Sequence, residues 1–512
     1  MILTAEHILL TCSILLFVSI WAGKTGYRFG VPTLLLFLLV GMLFGSDGLG
    51  IQFHDMKAAQ FIGMVALSII LFTGGMDTSF ADIKPVLKPG IALSTLGVLL
   101  TTLFTGLFIW WLSGMSWTNI HFPLIPSLLL AATMSSTDSA SVFAILRSQK
   151  INLKHNLRPL LELESGSNDP MAYMLTIVLT QLTQSTGIGG WGEIAGSFVI
   201  QFVVGGAAGY LLGKLAVLML NRLNIDNQSL YPILLLAFVL FTFSITSLLN
   251  GNGYLAVYIA GMMVGNHKIA YRKETNTFMD GLTWLFQIIM FLCLGLLVNP
   301  HEMLQVAAVA LLIGAFMILV GRPLSVYLSL LPFGRSITPK SRMFISWVGL
   351  RGAAPIIFAT YPVVADVPGA NSIFNIVFFI TILSLIIQGT TIARISRLLG
   401  LSLPQEKTGN DFGVELPEEL GSDLHEVTVS TDMLSRAQTL KDMQLPKGTL
   451  VMIVKRDDEY LIPNGSLKLH TNDKLLLISE KKKEQPTQEK NGRQPEVVAN
   501  SKNMKTVCKR LV

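Results

Sequence analysis

The sequence predicts an all-α polytopic membrane protein with about 13 transmembrane helices, built as inverted repeats with two broken helices and followed by a small cytoplasmic α+β domain. Three observations lead there. Of the 512 residues, 51% are hydrophobic and only 14% charged, against roughly 25% charged in an average soluble domain. The charges are unevenly shared, because residues 1–400 hold 21 Lys+Arg and 15 Asp+Glu while residues 401–512 hold 17 of each. Within the apolar part, runs of about 20 residues, the length that crosses ~30 Å of hydrocarbon, recur throughout.

The runs centre on 3–22, 30–46, 58–76, 90–113, 124–147, 157–184, 194–220, 230–249, 253–266, 279–298, 303–331, 341–361 and 373–398. Cytoplasmic loops collect Lys and Arg, and the connections obey that rule. One alternate set holds Lys24, Arg28, Lys84, Lys88, Arg147, Lys150, Lys154, Arg158, Arg222, Lys268, Arg272, Lys273, Arg335, Lys340, Arg342, Arg394 and Arg397; the other holds only Lys57. A single missed or invented span would scramble this division, so it supports both the count and the orientation, with the N-terminus expected outside and residue 400 inside. The net charge of +6 is therefore a topology signal and implies no nucleic-acid partner. The first run lacks a basic leader and a cleavage site and reads as a retained span. Cys12, Cys293 and Cys508 are too scattered for a disulfide framework or a CxxC metal ribbon.

Three runs read poorly as continuous helices: the short ninth, and the fifth and twelfth, which Gly and Pro interrupt around Thr137 and Gly352. The fifth and twelfth occupy corresponding places in two halves of the chain, the pattern of broken helices that meet at the bilayer midplane. After a linker at 401–412 comes a module over 413–482. It starts extended, turns into a short helix near Thr431, and continues in LVMIVKRDDEYLIP and SLKLHTNDKLLLIS, whose alternating apolar residues and Asp/Asn turns predict strands. Residues 483–512 have almost no core formers and read as a disordered tail.

An ionisable group at mid-bilayer costs roughly 2.5–3.5 kcal/mol even on lenient scales, so each one needs a reason. Asp138, Glu164, Asp169, Arg322 and Arg351 are the deep ones. Asp138 sits among small hydroxyl residues in ATMSSTDSASVF, which compete with helix and favour an unwound segment. In LELESGSNDPMAY, Ser165 and Asp169 share one helical face and Glu164 and Asn168 the next. Pro170 removes a backbone donor and loosens that helix. Carboxylate, hydroxyl and carboxamide oxygens are hard ligands of the kind an alkali cation takes. Glu164, Arg322 and Arg351 read as counter-charges, whereas Glu162, Lys214 and Asp280 read as interfacial. Three deep carboxylates against two guanidiniums leave net −1, which one monovalent cation or one proton would neutralise. Desolvation penalises a bare carboxylate, so the two compete, and if only loaded forms cross, competition alone yields antiport by alternating access.

These residues resemble the monovalent cation:proton antiporter superfamily, in its cell-volume-regulation (CvrA-like, NhaP-type) potassium/proton branch. The likeness rests on GYRFGVPTLLLFLLVGMLFG at 26–45, SSTDSASVFAIL at 135–146, LESGSNDPMAY at 163–173, Gly321-Arg322-Pro323 and GLRGAAPI at 349–356. It implies that Asp169 carries the ion and the proton, that Ser165, Asn168, Thr137 and Asp138 complete the site, and that Glu164 pairs with Arg322 to hold the core helices. Arg351 would stand at the second broken helix. The Asn-Asp pair implies electroneutral one-for-one exchange of K+, or Na+, for H+. Ser167, Pro170 and Thr73 depart from the commoner exchanger pattern. Over 413–482 the module resembles the RCK_C (TrkA-C) domain, which implies a homodimer and a small cytoplasmic ligand such as a nucleotide; no other cofactor is expected. The implied location is the cell inner membrane, with the module in the cytoplasm.

An enzyme or a primary pump is disfavoured, since neither GxxxxGK[ST] nor HExxH occurs. The alternative is an RCK-gated potassium channel, although no TVGYG-type filter is present.

Overall fold

The computed structural model describes residues 5–29, 32–184, 191–334, 337–404 and 422–480, apart from Gln52, Trp117, Asn119, Ala437, Gln444, Pro446, Lys447 and Asp458. The predicted tail and most of the predicted linker lie outside the described residues. The chain divides into a unit ending at Pro404 and a second unit beginning at Gln405.

The first unit is helical: α1 Ala5–Phe29, α2 Thr33–Phe44, α3 Met56–Asp77, α4 Phe80–Ser113, α5 Leu124–Thr133, α6 Ser139–Ser148, α7 Leu157–Gln184, α8 Trp191–Arg222, α9 Leu230–Leu248, α10 Gly253–Gly265, α11 Arg272–Leu297, α12 Pro300–Ser329, α13 Pro339–Trp347, α14 Ala353–Val364 and α15 Ala370–Leu398. Eight of these are long and apolar enough to cross a membrane by themselves. Among the described residues, each of the thirteen predicted runs carries helix, and runs five and twelve are broken, as α5/α6 and α13/α14.

One expectation is corrected. The ninth run is a short but continuous helix, α10, begun by Asn252, whose side chain accepts from Leu255 N–H. Helix α7 is continuous through Pro170, and Asn252 Nδ2 donates to the Pro170 carbonyl at 2.7 Å. A short antiparallel pair was also unforeseen: β1 Ile151–Leu153 with β2 Ser402–Pro404, at the start of the predicted linker.

Lipid offers no hydrophobic drive between helices, so close backbone packing over small residues must supply the attraction. Helices α3 and α10 meet in this way. A Cβ added to Gly75 would stand 2.4 Å from the Tyr258 carbonyl, and one on Gly261 2.1 Å from that of Phe72. Outward faces stay apolar, with Phe17 and Trp21 on α1 and Val203 and Leu211 on α8 exposed.

The second unit contains β3 Ser422–Thr428, α16 Thr431–Arg436, β4 Thr449–Arg456, β5 Glu459–Leu461 and β6 Lys474–Glu480. Its antiparallel sheet has the order β3-β6-β4-β5, with Val451, Val454, Leu475 and Leu477 on the core side. Arg456 grips Asp473 through Nε at 2.9 Å and Nη2 at 2.8 Å.

Candidate ion-binding site

Helix α5 stops where its sequence turns to hydroxyls. Thr133 and Ser135 donate back to the Leu130 and Ala132 carbonyls at 2.8 and 2.7 Å, which satisfies backbone acceptors that the helix end leaves free. Residues 134–138 are non-helical. Asp138 then caps α6, accepting from Ser141 N–H at 3.0 Å and from the Ser141 hydroxyl.

The second break, 348–352, is held from α15. Gln388 Nε2 donates to the Trp347 carbonyl at 2.7 Å, and Ser384 Oγ accepts from Arg351 N–H at 2.9 Å. The two unwound segments touch, since Asp138 N–H donates to the Leu350 carbonyl at 2.8 Å. A Cβ at Gly352 would lie 2.4 Å from Asp138 Oδ2, so the crossing requires glycine there.

Helix α7 passes beside this crossing. Ser165 Oγ donates to the Thr137 carbonyl at 2.8 Å and accepts from Ser139 N–H at 3.1 Å. Asn168 Nδ2 donates to Thr137 Oγ1 at 2.6 Å. Asp169, 8% exposed, accepts from the Ser136 hydroxyl. One turn earlier Glu164 pairs with Arg322, both buried, which ties α7 to α12. Arg351, 1% exposed, donates through Nη1 to the Ser136 carbonyl, the partner that sequence alone left unnamed.

A cavity of about 630 Å³ reaches this crossing, with Ser136, Asp138, Ser165, Asp169 and Gly352 among its lining. Thr137 and Asn168 brace the crossing from outside that lining. Asp77, Glu162 and Asp280 also line the cavity, with Arg147 and Arg158, and Arg158 is paired to Glu162 at 2.9 Å. Five carboxylates against two guanidiniums make a negative vestibule. Thr73 lies outside the lining and donates to the Ile69 carbonyl at 3.0 Å. Sequence reasoning passed over Ser136, Asp77 and Tyr258. Ser136 stood inside a quoted motif, Asp77 at the end of the third run, and Tyr258 looked like any aromatic in an apolar stretch. Among the described residues no group of three or more His, Cys, Asp or Glu forms a metal-holding cluster, and the site's donors are oxygens.

Two broken helices crossing beside a buried carboxylate, at the end of an acidic cavity, define a secondary carrier for cations. Comparison with known proteins agrees: residues 13–398 match the sodium/hydrogen exchanger transmembrane family and residues 424–485 match the TrkA-C domain. The chain belongs to the sodium/hydrogen exchanger family, as a monovalent cation/proton antiporter carrying a C-terminal TrkA-C domain. It is 39% identical to the K+/H+ antiporter NhaP of Alkalimonas amylolytica, over 92% of this chain and 80% of that protein. It is 38% identical to the K+/H+ antiporter NhaP2 of Shewanella oneidensis, over 91% and 80%. The fold is that of the sodium proton antiporter MjNhaP1 from Methanocaldococcus jannaschii, with a TM-score of 0.63 and 22% identity over 74% of this chain and 97% of that one. The channel alternative finds no support in these matches.

Proposed function

We propose that the protein exchanges K+ for H+, one for one, with Asp169 as the group that carries either ion. One observation carries the reading: Asp169 is buried at the crossing of the two broken helices, lines the cavity, and among the described residues has the neutral Ser136 hydroxyl as its one hydrogen-bond partner. A carboxylate so placed needs a cation or a proton to offset its desolvation. Ser165 and Ser136 offer oxygens beside it, and Asn168 and Thr137 hold helix and crossing in register. Asp138 stabilises the start of α6 and keeps a negative charge near the ion. Glu164 and Arg322 neutralise each other, and Arg351 answers the remaining carboxylate, which leaves net −1 to be cancelled by one K+ or one H+. Neutral loaded forms can change sides, whereas a bare charge resists the crossing. The relatives' names favour K+ over Na+.

Asp77 at the end of α3, Arg147 in the last turn of α6 and Arg158 in the first turn of α7 line the cavity, and this basic end, with Lys150 on the connection between α6 and α7, supports reading the structure as inward-open with the N-terminus outside. The TrkA-C unit then lies in the cytoplasm, where it senses a small ligand such as a nucleotide within a homodimer. The test is proton movement in everted vesicles, followed with a pH-gradient dye while KCl or NaCl is added under a potential clamp. Dissipation by KCl, indifferent to the clamp, is the expected result. Dissipation by NaCl alone would reassign the substrate, and a rate that follows the clamp would overturn electroneutrality.

A further inference from the structure

We propose that Asp77, Asp280, Tyr258 and the Gly166 carbonyl form a second alkali-cation site in the cavity mouth, a station that a hydrated cation occupies before it reaches Asp169. The proposal rests on the antiport reading above and adds a binding residue set to it. Asp77 ends α3 and Asp280 lies in the first half of α11; both line the cavity and both are exposed. Asp77 feels the like charges of Asp280 and Glu162 and the opposite charges of Arg147 and Arg158. The other three lining carboxylates are engaged, Glu162 by Arg158, Asp138 by Ser141 and Asp169 by Ser136. Among the described residues Asp77 and Asp280 have no hydrogen-bond or ion-pair partner. They are the two uncommitted negative charges of the vestibule.

An acidic mouth alone would be a field without a site. Two further observations supply oxygens at a fixed place. Tyr258, on α10, lines the same cavity at 1% exposure; its hydroxyl lies near the Thr78 and Ser167 side chains but, among the described residues, makes no hydrogen bond of ordinary geometry, a state that costs free energy unless something occupies it. It sits against Gly166, where an added Cβ would stand 2.7 Å from Tyr258 Oη. Gly166 also lines the cavity, and its carbonyl lacks the helical donor it should have four residues on, because that residue is Pro170. Pro170 therefore leaves a backbone acceptor free one turn before Asp169. Carboxylate, phenol and carbonyl oxygens are hard donors, suited to a cation that keeps part of its water. The exposed carboxylates gather it, and the buried pair gives it a defined seat.

The experiment has two arms. In everted vesicles at constant ionic strength, with choline chloride replacing KCl, D77N and D280N should raise the KM for K+ about fivefold, and Y258F, which changes no charge, about threefold, with maximal rate kept. D77E, which retains the charge, should recover much of the affinity. Unchanged KM in Y258F, together with a D77N effect that disappears at high ionic strength, would reduce the mouth to a general field and overturn the site. The second arm does not depend on exchange. In D169N protein in detergent, KCl should still raise the Tm saturably relative to choline chloride, and adding D77N or Y258F should abolish the shift. Absence of any K+-specific shift in D169N would also overturn it. If wild-type vesicles showed no exchange while this shift persisted, the antiport reading would fail and the second site would stand.

Discussion

Asp169 on α7 and Arg351 in the second helix break are held by the same residue: the Ser136 hydroxyl donates to the Asp169 carboxylate while the Ser136 carbonyl accepts from Arg351. One unwound residue thereby links the ion-carrying group of α7 to the second broken helix. Asp169→Asn keeps the shape of the side chain and removes its charge, so we expect normal yield with exchange reduced below detection in the vesicle assay. Ordinary exchange by a well-folded D169N protein would remove Asp169 from its assigned role.

Glu164 and Arg322 are both nearly sealed from solvent. Removing one partner of such a pair leaves an uncompensated charge, at a cost of about 3–5 kcal/mol. Glu164→Ala should therefore lower yield and Tm sharply. The double variant E164A/R322A should lose less than the two single losses combined, and strictly additive losses in a thermal-melt series would argue against pairing.

Asn168 donates to Thr137 Oγ1 and adds no charge to the site. Asn168→Asp adds one, taking the deep balance from −1 to −2, so a single monovalent cation no longer neutralises it. Exchange in N168D should become sensitive to the clamped potential. A rate as indifferent to the clamp as wild type would break the link between charge count and stoichiometry.

At Gly261 the closeness of the Phe72 carbonyl leaves no room for a methyl group. Gly261→Ala should cost about 1–3 kcal/mol by forcing α3 and α10 apart. Gly206→Ala, on α8 with nothing within 4 Å of its added Cβ, serves as the control and should be neutral or slightly stabilising. Equal melting temperatures for the two variants would deny the close packing.

In the TrkA-C unit, burial pushes the Asp473 carboxyl up, but the two Arg456 bonds and the His470 N–H outweigh it and hold the group below the usual carboxylate value. A carboxylate lowered on folding contributes stability above its unfolded pKa and loses it as pH falls through the folded value. Hydrogen exchange of β6 in the intact protein should stay slow at neutral pH and accelerate on acidification below the ordinary carboxylate range. D473N should be faster at neutral pH and lack the acid step.

The sequence alone determined the succession of apolar helices, the two helix breaks and the deep charges, because each is a local property. Apolar run length, hydroxyl-rich or glycine-rich interruption, and the Lys and Arg of alternate loops are all written within a few dozen consecutive residues. The strands β4 and β6 and the short α16 were legible for the same reason. Tertiary structure decided what joins distant segments. Ser136 was one hydroxyl among several until α7 and the second helix break placed Asp169 and Arg351 at its two polar ends. Asn252 reaches the Pro170 carbonyl of α7 from 82 residues away. The β1/β2 pair brings together residues some 250 positions apart. Backbone groups and charges in a low-dielectric interior must find partners wherever the fold presents them, and which partner each one finds depends on packing that no single stretch of sequence contains.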